Sequence, residues 1–222
     1  MRFERADGTE QWRERVQEAW PKVEVTRGSF FRVRLREALP IEAGDWVTIP
    51  ATGTHGFVIR DCEFRDHRAR GMRIQASHGV IEGNRLSGLQ GAGITIGPEF
   101  GYWREANWVE DLIVRDNVIE EIGRGNITQE AWGFALAGIT VFGRGEPDVE
   151  CTPGNRAIVL SGNTIEDCPT AAISVTCSRE VQVNGNRIAH TNYRDGGAPI
   201  AVSGSEQVLV DGNHFSAVGE AP

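Results

Sequence analysis

The chain has no apolar run long enough to cross a membrane as a helix, so no membrane partner is expected. Its first ten residues, MRFERADGTE, carry no apolar stretch, and no signal peptide is read there. Secretion as part of a longer protein stays open, and localisation is left unassigned. A basic stripe is also missing. The 222 residues carry a formal net charge of −8, which argues against a nucleic-acid partner. The four cysteines, Cys62, Cys151, Cys168 and Cys177, show no C-x-x-C spacing, so neither a zinc site nor any cofactor is expected. Free thiols are the first expectation, with a disulfide involving Cys151 as the alternative. The sequence stops at HFSAVGEAP, with no closing helix after its last apolar strand. Bare strand edges associate, so self-association through that end, or a covering segment, is expected.

Glycine is abundant, at 27 residues, and so is a repeat. VIRDCEF (58–64), VIEGNRL (80–86), IVRDNVI (113–119), VLSGNTI (159–165), VQVNGNRI (181–188) and VLVDGNHF (208–215) share one register. Their pivots are Cys62, Asn84, Asn117, Asn163, Asn186 and Asn213. Three residues before each stands Ile59, Ile81, Val114, Leu160, Val183 or Val210; two after it stands Phe64, Leu86, Ile119, Ile165, Ile188 or Phe215. This is the pattern of two short strands meeting at a sharp bend. A further strand recurs between pivots, as GMRI (71–74), GITI (93–96), GITV (138–141), AISV (172–175) and PIAV (199–202). The shortest complete turn, Cys62 to Asn84, is 22 residues. A period of that length, with strands and no helix, predicts an all-β parallel β-helix over residues 56–222. The pivot asparagines are expected to point inward as an asparagine ladder, their amides bonding the backbone of adjacent coils.

Residues 1–55 do not repeat and are read as a capping segment or an incomplete coil. Within them, Trp12, Val16 and Trp20 are spaced by four, Thr9 can cap and Pro21 can stop, so a short helix is expected over 9–20. FFRVRLREA (30–38) and WVTIP (46–50) read as strands around the turn EAGD (42–45).

Coil arithmetic locates the insertions. From a strand of the GMRI type to the next pivot the basic distance is 12 residues, from Met72 to Asn84, but Ile94 to Asn117 takes 23 and Ile139 to Asn163 takes 24. The surplus places loops at 97–108 and 143–155, leaving the same corner of consecutive coils. A third insertion falls around 123–136. Coils stack about 4.8 Å apart, so the first two loops must stand together. They would wall a groove floored by the outward residues Arg73, Thr95, Thr140, Ser174 and Ala201. Long loops on a rigid scaffold are where function concentrates.

The first loop, GPEFGYWREANW, brings Glu99 and Glu105 together with Tyr102, Trp103 and Trp108. Aromatic rings that can lie on sugar faces, next to carboxylates, make a carbohydrate site. The competing reading is structural, with Trp103 and Trp108 anchoring the loop and Glu105 paired to an arginine. RDHRAR (65–70) offers Asp66, His67 and Arg70 at another corner, either as sugar-binding groups or as a solvated charged turn.

The stretches RARGMRIQASHGVIEGN and ITIGPEFGYWREANWVEDLIVRDNVIE resemble the α-1,3-galactosidases of glycoside hydrolase family 110 and, more closely, their uncharacterised right-handed parallel β-helix relatives. The matching positions are Ala69-Arg70-Gly71, Asn84, Glu99, Tyr102-Trp103-Arg104-Glu105 and Asn117. This chain has Glu99 where the family tends to have Asp, and Ala106-Asn107 where it has Ser-Gly. It also lacks the family's upstream Asp-Asp pair. The resemblance implies a right-handed, pectate-lyase-like solenoid and an inverting glycosidase acting on α-galactoside-type linkages of a glycan, with two carboxyls and no cofactor. Catalytic candidates are Glu99, Glu105 and Asp66. Substrate-binding candidates are Trp103, Tyr102, Arg70, Arg73, His67, Thr95 and Thr140. The alternatives are a non-catalytic carbohydrate-binding or structural β-helix and, third, a polyuronate lyase or epimerase. The outward row offers no carboxylate cluster for the calcium that the third would use.

Overall fold

The computed structural model describes residues 1–5, 11–13, 16–19, 23–25, 28–30, 33–100, 105–125, 136–143, 153–194 and 196–222. The chain divides into two compact units, Met1–Thr52 and Gly53–Pro222.

The second unit is a solenoid of three parallel sheets. Sheet one stacks His55–Arg60, Ser77–Glu82, Glu110–Arg115, Asn155–Ser161, Ser178–Asn184 and Glu206–Asp211. Sheet two stacks Glu63–Arg65, Arg85–Leu89, Val118–Ile122, Thr164–Cys168, Arg187–Thr191 and His214–Ser216, and sheet three stacks Met72–Ile74, Ile94–Ile96, Ile139–Val141, Ile173–Thr176 and Ile200–Ser203. The expected repeat register is the observed one. Ile81 pairs with Ile59 on one side and Val114 on the other, and Leu86 pairs with Phe64 and Ile119. Alternation along each strand sends these residues inward, where Ile81, Leu86, Val114, Ile119, Leu160 and Ile165 lose all solvent contact. Each such aliphatic side chain contributes about 1.5–3 kcal/mol by burial.

Sheets one and two meet at a bend of two residues. The first is left-handed in every coil: Asp61, Gly83, Asp116, Gly162, Gly185 and Gly212 have φ between 54° and 64°. Glycine is needed at 162, where a Cβ would come within 2.4 Å of Asp116 Oδ1. The second residue is the pivot. Asn84 Nδ2 donates to Asn117 Oδ1, Asn117 to Asn163, Asn163 to Asn186 and Asn186 to Asn213, at 2.8–3.0 Å. Each amide also donates to a carbonyl of the preceding coil, from Ile59 for Asn84 to Val183 for Asn213. Cys62 holds the same position with an exposed thiol, and its backbone N–H donates to Asn84 Oδ1 at 3.1 Å.

In the first unit Arg2–Glu4 pairs antiparallel with Gln11–Arg13 and Trp46–Thr48, Val16–Ala19 pairs with Val33–Leu35, and Val23–Val25 with Gly28–Phe30. The helix expected over 9–20 is therefore corrected to two strands. Spacing by four is an even number, so as a sequence pattern it fits one face of an extended chain as well as one face of a helix. Antiparallel partners decided between the two. Expected strands do form within 30–38 and 46–50. At the 42–45 turn, the Glu42 N–H donates to Asp45 Oδ2 at 2.8 Å, and Gly44 takes φ of 102°.

The thiol expectation holds for Cys62 and Cys168, which are free. It is corrected for Cys177, which is disulfide-bonded. Cys151 lies outside the described residues.

Candidate active site

Sheet three turns into sheet one through the corner that carries the two expected loops. Their described portions are in contact. Trp108, 6% exposed, lies over the second loop's ends: a Cβ at Gly143 would come within 2.3 Å of its ring, and one at Gly154 within 2.1 Å. Phe100 meets the same indole edge-on, with centroids 4.9 Å apart. Gly97 is required where the first loop begins, since its φ is 123° and a Cβ would sit 1.7 Å from the Phe142 carbonyl oxygen. Asn155, fully buried, ties the loop roots. Its Nδ2 donates to the Phe142 carbonyl at 3.0 Å, and its Oδ1 accepts the Val109 N–H at 3.1 Å. Trp108 is thus an anchor of this corner.

The first loop folds back on itself. Glu99 and Glu105 exchange both backbone hydrogen bonds, at 3.2 and 2.8 Å, forming an isolated antiparallel bridge. Residues opposed in this way present both side chains on one face, with Cβ atoms about 5 Å apart. Glu99 is 5% exposed, whereas Glu105 reaches solvent and its Oε1 accepts a hydrogen bond from Gln75 Nε2 at 2.9 Å.

Both carboxylates act on the same two arginines. Burial lowers the pKa of Arg70, against the pull of Glu105 and Glu99. Burial, and then the neighbouring Arg70 charge, brings Arg73 down to about 10, against the opposing pull of the same two glutamates. The Arg73 guanidinium lies over the Phe142 ring, 4.8 Å from its centroid, and its Nη1 is buried without a hydrogen-bond partner.

The outward row of sheet three runs Arg73, Thr95, Thr140, Ser174, Ala201 in register, as expected. The open groove floor is corrected at its centre. Thr95 and Thr140 are 0% and 1% exposed, and Thr95 Oγ1 donates to the Met72 carbonyl at 3.1 Å. The face is covered there and opens at the rung of Arg73, where Arg70, Arg73 and Gln75 are half-buried. Asp66 and His67 stand at the corner between sheets two and three. Asp66, exposed and left-handed at φ 52°, has Oδ1 beside Gly88, and His67 Nδ1 accepts the Ala69 N–H at 3.3 Å. The acids acting on the two arginines, among the described residues, are Glu99 and Glu105. Asp66 is not brought to them. Tyr102 and Trp103 lie outside the described residues.

Sequence reasoning missed Phe142 and Gln75. Strand alternation carries the signal for both: Gln75 follows Arg73 by two, and Phe142 follows Thr140 by two, on the same outer face.

The family described as "Right handed beta helix region" matches residues 47–215. Alpha-1,3-galactosidase B of Bacteroides thetaiotaomicron is 33% identical over 98 residues, which is 43% of this chain. The chain spans only 16% of that relative's length. Among solved structures, an alginate lyase from Paenibacillus sp. aligns with 76% of this chain and 74% of its own, at 12% identity and a TM-score of 0.27, too low to carry an argument.

Proposed function

The chain belongs to the right-handed β-helix family, and we propose that it is a carbohydrate-active member that hydrolyses α-galactoside-type linkages of a glycan by an inverting, two-carboxylate mechanism. The observation that carries this reading is the Glu99–Glu105 bridge, with two carboxylates on one face acting on the same arginine pair. The partial match to a protein named as an α-1,3-galactosidase supports the linkage class.

Inversion needs one carboxylic acid to protonate the leaving oxygen and one carboxylate to take a proton from the attacking water, about 6.5–9.5 Å apart. Side chains leaving backbone positions about 5 Å apart reach that separation by splaying. Glu105, at the solvent boundary, is assigned as the base because its water must arrive from solvent. Glu99, buried against the loop root, is assigned as the acid. Arg70 and Arg73 are assigned to hold the sugar, and Tyr102 and Trp103 to its apolar face on sequence grounds. A binding role without turnover is the second reading, favoured by the Gln75 bond that ties down Glu105.

The test is release of the aryl group from aryl α-galactosides by the intact chain. Glu99→Gln and Glu105→Gln are each expected to lower kcat by about 10²–10⁴ with binding retained. Trp103→Ala is expected to weaken glycan retention. Binding that is lost in Trp103→Ala, with no turnover by any form, would favour the second reading. Absence of both hydrolysis and binding across α-galactoside, fucoside and uronate panels would remove support for either.

A further inference from the structure

Resting on that glycan reading, we propose that the sugar received at the Arg73 rung carries an anionic group, a carboxylate or a sulfate, and that the Arg70–Arg73 pair is its receptor. Three observations converge on this. Arg73 makes no ion pair among the described residues, and its Nη1 is buried with no hydrogen-bond partner. Buried donors in folded proteins are satisfied in more than about nine cases of ten, so an unsatisfied guanidinium nitrogen beside a half-open rung calls for an acceptor from outside the chain. Second, the guanidinium lies over the Phe142 ring, 4.8 Å from its centroid, and a guanidinium's N–H fork matches the two oxygens of a carboxylate or sulfate. Third, a second guanidinium, that of Arg70, acts on the first as a like charge. Glu99 and Glu105 offset part of that repulsion, and an anion bound at Arg73 Nη1 would offset more of it.

The chain's net charge of −8 does not oppose this. Charges are screened over about 8 Å at physiological ionic strength, so the local cluster of Arg70, Arg73, Glu99 and Glu105 governs a group bound there, and Arg73 Nη1 is the donor it leaves open. A neutral galactoside would leave Arg73 Nη1 to a hydroxyl, a weaker acceptor than an ionised oxygen.

The experiment is calorimetric titration of the intact chain with three probes of matched length: a neutral α-galactooligosaccharide, an oligogalacturonate and a sulfated galactooligosaccharide. The expected result is one acidic probe binding about 10- to 100-fold tighter than the neutral one, with only that preference weakening as sodium chloride rises. Which acidic probe wins identifies the group. In Arg73→Gln the acidic-to-neutral affinity ratio falls to about one; in Arg73→Lys it is restored only in part, because an ammonium lacks the fork. Arg70→Gln serves as the second variant should Arg73→Gln fail to fold. Equal affinity for all three probes, or preference for the neutral one, overturns the inference and leaves the proposed function standing. Binding of no probe removes the glycan reading, and this inference with it.

Discussion

Asn163 and Arg73 each carry a planar, nitrogen-bearing group on the same solenoid, the first turned inward and the second on the outer face of sheet three. Every hydrogen-bonding position of the Asn163 amide is engaged: Oδ1 accepts from the N–H and Nδ2 of Asn117, and Nδ2 donates to Val114 and Asn186. At Arg73 one nitrogen is buried with no partner, a like charge acts on the guanidinium, and an aromatic ring lies against it. The first arrangement is complete within the protein. The second leaves a donor open, and it is found where two loops anchor over the outer sheet face.

The comparison breaks most forcefully at the loop anchor. Trp108→Ala removes the indole on which Gly143 and Gly154 pack and is expected to cost about 3–5 kcal/mol in urea unfolding. A change below about 1 kcal/mol would mean that the corner is not held by this ring.

Asn163→Leu leaves donors of Asn117 and the Val114 carbonyl unpaired in the core, and about 1–3 kcal/mol is expected to be lost. Asn213 is half-buried at the last rung, so Asn213→Leu is expected to cost less than about 1 kcal/mol. Equal losses at the two positions would show that position along the column does not set an amide's contribution.

The smallest expected effect sharpens the contrast. Arg73→Met removes a half-buried cation whose buried Nη1 has no hydrogen-bond partner, so thermal stability is expected to stay level or rise. The sign with pH follows from the folded pKa of about 10, below the ordinary 12.5. Between those values the unfolded chain binds more protons, so the penalty fades as pH rises through that window and is constant below it. The Tm difference between Arg73→Met and the parent is therefore expected to be flat from pH 6 to pH 9. A substantial loss of Tm would make Arg73 a structural residue like Asn163.

The amino-acid sequence by itself determined the solenoid and its register. Inward residues recur at fixed offsets from a bend, and a one-residue slip would turn every one of them outward. It also determined where the surplus residues leave the coils, because a loop is what remains when the spacing exceeds the repeat. Tertiary structure alone decided the rest. Trp12 and Val16 fit a helix or a strand equally until antiparallel partners selected the strand. Thr95 and Thr140 face outward by alternation, yet are buried, because cover depends on what packs over that face. Asp66 and Glu99 are both acids near sheet three in sequence, but only Glu99 acts on the arginines, since the two leave different corners of the coil. Strand period and repeat length are local quantities written into neighbouring residues. Which loop lies against which, and which buried nitrogen is left without a partner, depends on contacts between residues far apart in the chain.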